Sequence, residues 1–119
     1  MKSHPASLFK ALADENRLRI LNLLLVEEMC VCQLECVLGI KQSNLSRHLT
    51  KLAQSGLIVP EKRAQFVFYR IDPEASASYP GFEAFLRHAL ENIPAHRTDI
   101  ENYTRDKNAG MLCLSKCKL

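Results

Sequence analysis

Gly39 sits between two short segments, each with its own leucine-type stripe, and few folds accommodate that pattern. Val31 to Leu38 has the length and apolar spacing of a two-turn helix. Gly39-Ile40-Lys41 follows, and a residue free to adopt the left-handed conformation is what ends a helix with a sharp change of direction. The next segment, Gln42 to Gln54, places Leu45, Leu49 and Leu52 at i, i+4 and i+7, so all three share one face. Ser55-Gly56 ends it. The opposite face then carries Gln42, Ser43, Ser46, Arg47, Thr50 and Lys51, all polar and several short.

The flanking sequence supplies what this helix pair must pack against. Pro5 suits the first turn of a helix reaching about Ala13, with Leu8, Leu12 and Phe9 as its apolar residues. Asp14 is the N-cap expected of a second helix, whose Leu18, Leu21 and Leu25, widened by Ile20 and Leu24, run to Val26-Glu27-Glu28. Beyond Gly56, Leu57-Ile58-Val59 and Phe66 to Ile71 are rich in β-branched and aromatic residues. The polar run Glu61 to Gln65 between them predicts a β-hairpin, and Pro60, lacking an N–H, predicts that its first strand lies at an edge or contains an irregularity there. Asp72-Pro73 ends the second strand. Tyr79-Pro80-Gly81 leads into a helix carrying Phe82, Phe85, Leu86, Ala89, Leu90 and Ile93, which Pro94 interrupts before a more polar continuation to Asn108.

These elements predict a mainly α fold with a β-hairpin wing, a winged helix-turn-helix. The 119 residues, 47% of them hydrophobic, suffice for one domain over residues 1–108, followed by a cysteine-containing tail, 109–119. Ile20 to Val26 is too short to span a bilayer, and no apolar run of signal-peptide length opens the chain, so a cytoplasmic protein without membrane contact is expected. A net charge of +3 permits nucleic-acid binding without requiring it.

Local placement argues more strongly. A helix entering a major groove needs short donors and acceptors at its N-terminal end, and Gln42, Ser43, Asn44 and Ser46 provide them. Arg47, His48 and Lys51 would reach phosphates or bases, while Lys62, Arg63 and Gln65 at the hairpin tip would approach the neighbouring backbone or minor groove. The partner expected is double-stranded operator DNA. The plainer alternative is a solvated amphipathic face, with His48 serving as a packing residue.

Five cysteines, an odd number in two groups, fit ion binding or redox sensing better than a disulfide framework. Cys32 and Cys36, at i and i+4, share a helix face. Cys30 and Cys32 point about 200° apart in a regular helix, so Cys30 must sit in the preceding loop or in a deformed first turn to join them. Three converging thiolates suit a three-coordinate thiophilic centre such as As(III), and Cd(II) or Pb(II) would take three or four sulfurs. Core packing is the alternative for Cys36. Cys113 and Cys117 could complete this site, form a second one, or be inert. His88, His96 and Asp99 suggest zinc only weakly, because the two histidines lie eight residues apart across Pro94.

Leu12 to Leu21, Met29-Cys30-Val31-Cys32-Gln33-Leu34, Gln42 to Leu49 and Tyr69-Arg70 together resemble the ArsR/SmtB family of metal-sensing repressors, over about residues 6 to 93. The resemblance implies a homodimeric winged-helix repressor released from its operator by an inducer, with terminal helices at the dimer interface. It also implies that Cys30-Val-Cys32 is the thiolate pair of the arsenite-, antimonite- and cadmium/lead-sensing members. Arsenite-type members often have a third cysteine three residues after the pair; here Cys36 is four residues after Cys32. The inducer implied is As(III) or Sb(III), or else Cd(II) or Pb(II), with no other cofactor required.

On this reading, ion capture by Cys30 and Cys32 reorients the start of the Val31–Leu38 helix and strains the reading helix through Gly39. Redox sensing by disulfide formation among Cys30, Cys32 and Cys36 is a second reading. A thiol enzyme is a third, without the Cys-x-x-Cys, phosphate loop or nucleophile-base set it would need.

Overall fold

The computed structural model of the chain describes residues 4–108. They form, in order, α1 (Pro5–Leu12), α2 (Glu15–Val26), β1 (Met29–Cys30), α3 (Val31–Leu38), α4 (Gln42–Gln54), β2 (Ile58–Arg63), β3 (Phe66–Ile71), α5 (Pro73–Ser78), α6 (Phe82–Leu90) and α7 (Pro94–Asn108). Cys113 and Cys117 lie outside the described residues.

α2 is the centre of the molecule, packing against α1, α3, α4, α6, α7 and β3. Its six consecutive residues Ile20 to Leu25 are all buried, as expected of a helix covered on every side. The one polar residue among them, Asn22, donates from its side-chain amide to the His96 carbonyl at 3.2 Å, which satisfies it without water. Asp14 caps the helix by accepting from the Arg17 backbone N–H at 3.1 Å.

The α3–turn–α4 unit has the predicted bounds. Gly39 caps α3 at φ 69°, and a Cβ placed there would meet nothing within 4 Å. The demand for glycine is therefore conformational rather than steric. Leu45, Leu49 and Leu52 are buried against α2 and α3, so α4 is fixed by its apolar stripe and leaves its polar face outward.

The sheet is antiparallel, in the order β1-β3-β2. β2 is an edge strand, and Pro60 sits in it opposite Tyr69. The hairpin is longer than the apolar runs suggest. Pairing continues through Glu61, Lys62 and Arg63 to Arg63↔Phe66, leaving a two-residue turn in which Ala64 takes φ 56°. Polar residues extend an edge strand readily because one of its sides faces solvent. Two further elements were not expected from the sequence. β1 is too short to show a periodicity, and α5 begins at the Pro73 expected only to end a strand, capped by Asp72 accepting from Glu74 N–H at 2.9 Å.

α6 buries Leu86 and Leu90 but leaves Phe85 68% exposed, close in character to Phe9, 65% exposed, on α1. α7 is locked to α2 by an ion pair. Arg19 donates from Nε and Nη2 to the two carboxylate oxygens of Asp99, each at 2.8 Å, and from Nη2 to the Leu38 carbonyl at the end of α3 at 3.3 Å. Asp99 is thus committed to Arg19, and His88 lies exposed beside Glu91, so the His88/His96/Asp99 zinc grouping does not assemble. No helix among the described residues is long and apolar enough to cross a membrane.

Candidate functional site

The outward face of α4 lines an open groove of about 660 Å³, walled by Ser43, Ser46, Arg47, His48, Thr50, Lys51 and Gln54, with Arg17 of α2 at its rim. Gln42, Ser43, Asn44, Ser46, Arg47 and Lys51 are all exposed. Asn44 and Arg47 are already joined, with Arg47 Nη2 donating to the Asn44 side-chain oxygen. That bond holds the guanidinium near the N-terminal end of the helix, where a groove-reading residue must project.

His48 differs from its neighbours. It is half-buried, its Nδ1 3.3 Å from Arg17 Nη1, at the joint between α4 and the start of α2. Arg17 in turn donates from Nε to the Ala11 carbonyl at 2.7 Å and from Nη2 to the Lys10 carbonyl at 3.2 Å, closing the end of α1. No local pattern signals this role of Arg17, because its partners are backbone carbonyls six and seven residues away.

Burial pushes the His48 imidazole below its ordinary pKa, opposed by the Asp14 carboxylate and reinforced by Arg17 and Arg47. Burial does the same to His96, with Asp99 and Glu15 opposing and Arg19 reinforcing, and His96 Nδ1 has no hydrogen-bond partner. Both rings therefore bind a proton more weakly folded than unfolded. Their effect is absent above the unfolded value of about 6.5, and stability falls as pH drops below it. The carboxylates of Asp14, Glu28 and Glu61 are held low, so their contribution is lost only below about pH 4. The melting temperature is expected to fall between pH 7 and pH 5, and to fall less in His96→Gln. An identical decline in that variant, by thermal circular dichroism, would remove His96 from the account.

The thiols occupy the other side of α3. Cys30 is the N-cap of α3 and the second residue of β1, outside the helix as its spacing to Cys32 demands, but in a paired strand rather than a loop. Its backbone N–H donates to Gln33 Oε1 at 2.9 Å. The Cys30 and Cys32 sulfurs are 3.0 Å apart, both buried, and pack against Phe66 and Phe68 of β3. Cys36 lies on the exposed face of α3. Cys32 and Cys36 are each disulfide-bonded, while Cys30 is a free buried thiol. Among the described residues no three Cys, His, Asp or Glu side chains are gathered to hold a metal ion. Once Cys32 is reduced, the pair could take two positions on one soft ion. Sulfurs bonded at about 2.3 Å in a tetrahedral thiolate site lie roughly 3.8 Å apart, so these two need to separate by less than about 1 Å.

At the hairpin tip, Lys62 and Gln65 are exposed, and Arg63 is not a spare cation. It donates to both oxygens of Glu28 at 2.6 and 2.9 Å and to Glu61 at 3.0 Å, and it lies 4.6 Å over the Phe68 ring. These carboxylates raise its pKa further above an already permanent charge. Sequence reasoning missed Glu28 and Phe68, since nothing local links positions 28, 63 and 68.

Residues 14–59 match the model of the bacterial regulatory protein, arsR family. The arsenical resistance operon repressor of Escherichia coli is 48% identical over 75 residues, covering 61% of this chain and 63% of that protein. The matched region spans 56–63% of the length of this repressor and of two arsenic resistance transcriptional regulators of Pseudomonas putida. Among solved structures, HlyU from Vibrio cholerae is 38% identical with a TM-score of 0.62, over 72% of this chain and 90% of that one. A winged helix-turn-helix domain of Mb0332 from Mycobacterium bovis, described as homodimeric and possibly of the same family, is 29% identical with a TM-score of 0.62, over 72% and 77%.

Proposed function

The chain belongs to the arsR family of bacterial regulatory proteins, and from that premise we propose a homodimeric cytoplasmic repressor that releases its operator when Cys30 and Cys32 capture As(III) or Sb(III). The family consists of regulators, so the chain is not an enzyme. The observation that carries the ion-sensing reading is the buried Cys30–Cys32 pair at 3.0 Å, seated between the α3 N-terminus and the wing. Soft sulfur ligands favour soft ions, and a thiolate pair completed by a third sulfur suits three-coordinate As(III) or Sb(III), with Cd(II) and Pb(II) as competitors. Cys36, four residues on, is the third ligand favoured by helical spacing. Because Cys32 and Cys36 are disulfide-bonded, ion capture requires a reductant that adds two electrons and two protons per disulfide.

The DNA-facing surface proposed comprises Gln42, Ser43, Asn44, Ser46, Arg47 and Lys51 on α4, with His48 at its root and Lys62, Arg63 and Gln65 on the wing. Arg17 joins it at the groove rim. Dimerisation is supported by the exposed rings of Phe9 and Phe85, which a partner copy would cover, and by the homodimeric relative. Two reading helices about 34–36 Å apart would then meet successive major grooves.

The test is an anisotropy titration of operator DNA against the reduced protein, with and without each ion at fixed salt. Arsenite is expected to weaken binding at least about fivefold, the lower end of common allosteric couplings. No change with any of the four ions would end this reading. In the same assay Lys62→Ala is expected to reduce the slope of log K against log salt by about 1, as for one lost phosphate contact. An unchanged slope would remove Lys62 from the interface.

The disulfide-bonded state of Cys32, with the free Cys30 sulfur 3.0 Å away, favours one second reading. In it the switch is oxidation: two thiols lose two electrons and two protons to a peroxide, forming a disulfide and water. DNA release by peroxide without response to arsenite would select it.

A further inference from the structure

We propose that Glu28 is a positioning residue that ties the state of the Cys30–Cys32 pair to the wing by holding Arg63 over Phe68. The inference rests on the ion-sensing reading above and names its route to DNA. Four contacts form a closed loop. Cys30 pairs with Phe68 in the β1–β3 register, and Phe66 and Phe68 pack against the Cys30–Cys32 sulfurs. The Phe68 ring carries the Arg63 guanidinium 4.6 Å from its centroid. Arg63 makes a two-pronged bond to Glu28 at 2.6 and 2.9 Å. Glu28 lies two residues before Cys30, which closes the circuit.

In such a loop Cys30 cannot move alone. The two sulfurs must separate to share an ion, and Cys30 lies opposite Phe68 in the β1–β3 pairing with its sulfur packed on that ring, so its shift is delivered to Phe68 and, through two residues of chain, to Glu28. Both supports of Arg63 are then disturbed together. Arg63 ends β2 beside the Ala64-Gln65 turn, with Lys62 adjacent, so the tip that would meet phosphate loses its fixed orientation.

The pair is not needed for stability. The Arg63 and Glu28 side chains are 40% and 38% exposed, and pairs so open to solvent contribute little to folding. A planar guanidinium gripped by both carboxylate oxygens and stacked on a ring is, however, fixed in direction. That combination of low energetic weight and tight geometry suits positioning.

The experiment compares the full chain with Glu28→Gln, Arg63→Gln and the double variant, reduced with a phosphine and titrated with sodium arsenite at fixed salt. The readouts are arsenite stoichiometry, operator Kd with and without arsenite, and hydrogen exchange of the β3 amides without DNA. In the unaltered protein, arsenite is expected to raise the Kd about fivefold or more and to speed exchange at Val67 to Tyr69. In each single variant the stoichiometry stays the same, the Kd ratio falls below about threefold, and β3 exchanges fast from the start. The double variant is expected to be no worse than either single one, because both act through one contact. Variants that retain the unaltered protein's Kd ratio overturn the positioning role while leaving ion sensing intact. Loss of arsenite binding in Glu28→Gln also overturns it, since Glu28 would then belong to the ion site. An unaltered protein that does not respond overturns both.

Discussion

Asp99→Ala is expected to destabilise the protein by about 3 kcal/mol, the lower end of the range for breaking a buried ion pair. The lower end applies because the Arg19 side chain keeps 26% of its exposure and can recover some hydration, whereas that of Asp99 has only 3%. The loss is large because Arg19 serves three elements at once. Its guanidinium joins α2 to Asp99 on α7 and to the Leu38 carbonyl at the end of α3. With Asp99 removed, a charge remains in a site built to neutralise it. For a domain of this size the melting temperature should drop by more than about 10 °C. Chemical denaturation provides the check, and a loss under about 1 kcal/mol would mean that the pair is far better hydrated than its burial indicates. Replacing both partners by apolar residues, Arg19→Met with Asp99→Leu, should recover much of the stability, since no unpaired charge is left.

Cys30→Ser combined with Cys32→Ser is expected to abolish release of DNA by arsenite while leaving operator binding without ion within about threefold of the unaltered protein. Serine matches the volume of cysteine closely enough for the pocket against Phe66 and Phe68, but its hydroxyl remains protonated and hard, so a thiophilic ion gains nothing there. The coupling removed is the whole allosteric term, on the order of 1–3 kcal/mol, or about 5- to 150-fold in affinity. Anisotropy titrations with and without arsenite measure it. A double variant that still lets go of DNA would move the sensing site elsewhere, and Cys36→Ser in parallel reports whether the third sulfur takes part. Equal responses in Cys36→Ser and the unaltered protein would confine the site to the pair.

The α3–turn–α4 unit could be read from the chain residue by residue because its determinants are local. Leucine spacing sets the buried face of α4, and Gly39 sets the turn that φ 69° then realises. The polar face needed no tertiary information either, being what the apolar stripe leaves over. Asp14 as a cap and Pro60 at an edge follow from hydrogen-bonding inventories that a residue carries with it. The site was less legible. That Cys30 lies outside the helix follows from the i, i+2 spacing, but its pairing with Phe68 depends on a strand thirty-eight residues away.

Local spacing and backbone chemistry thus determined the longer helices, the hairpin, the exposed polar face of α4 and the need for Cys30 to leave the helix before it can approach Cys32. Tertiary structure alone decided that Arg63 is gripped by Glu28 instead of standing free, that Arg17 braces His48, and that Asp99 answers Arg19 rather than a metal. The reason is the same in each case. Propensity and periodicity act over a few residues, whereas a charge or a thiol takes its role from whatever partner packing brings within about 3–4 Å, and that partner lies 31 to 80 positions away in the chain.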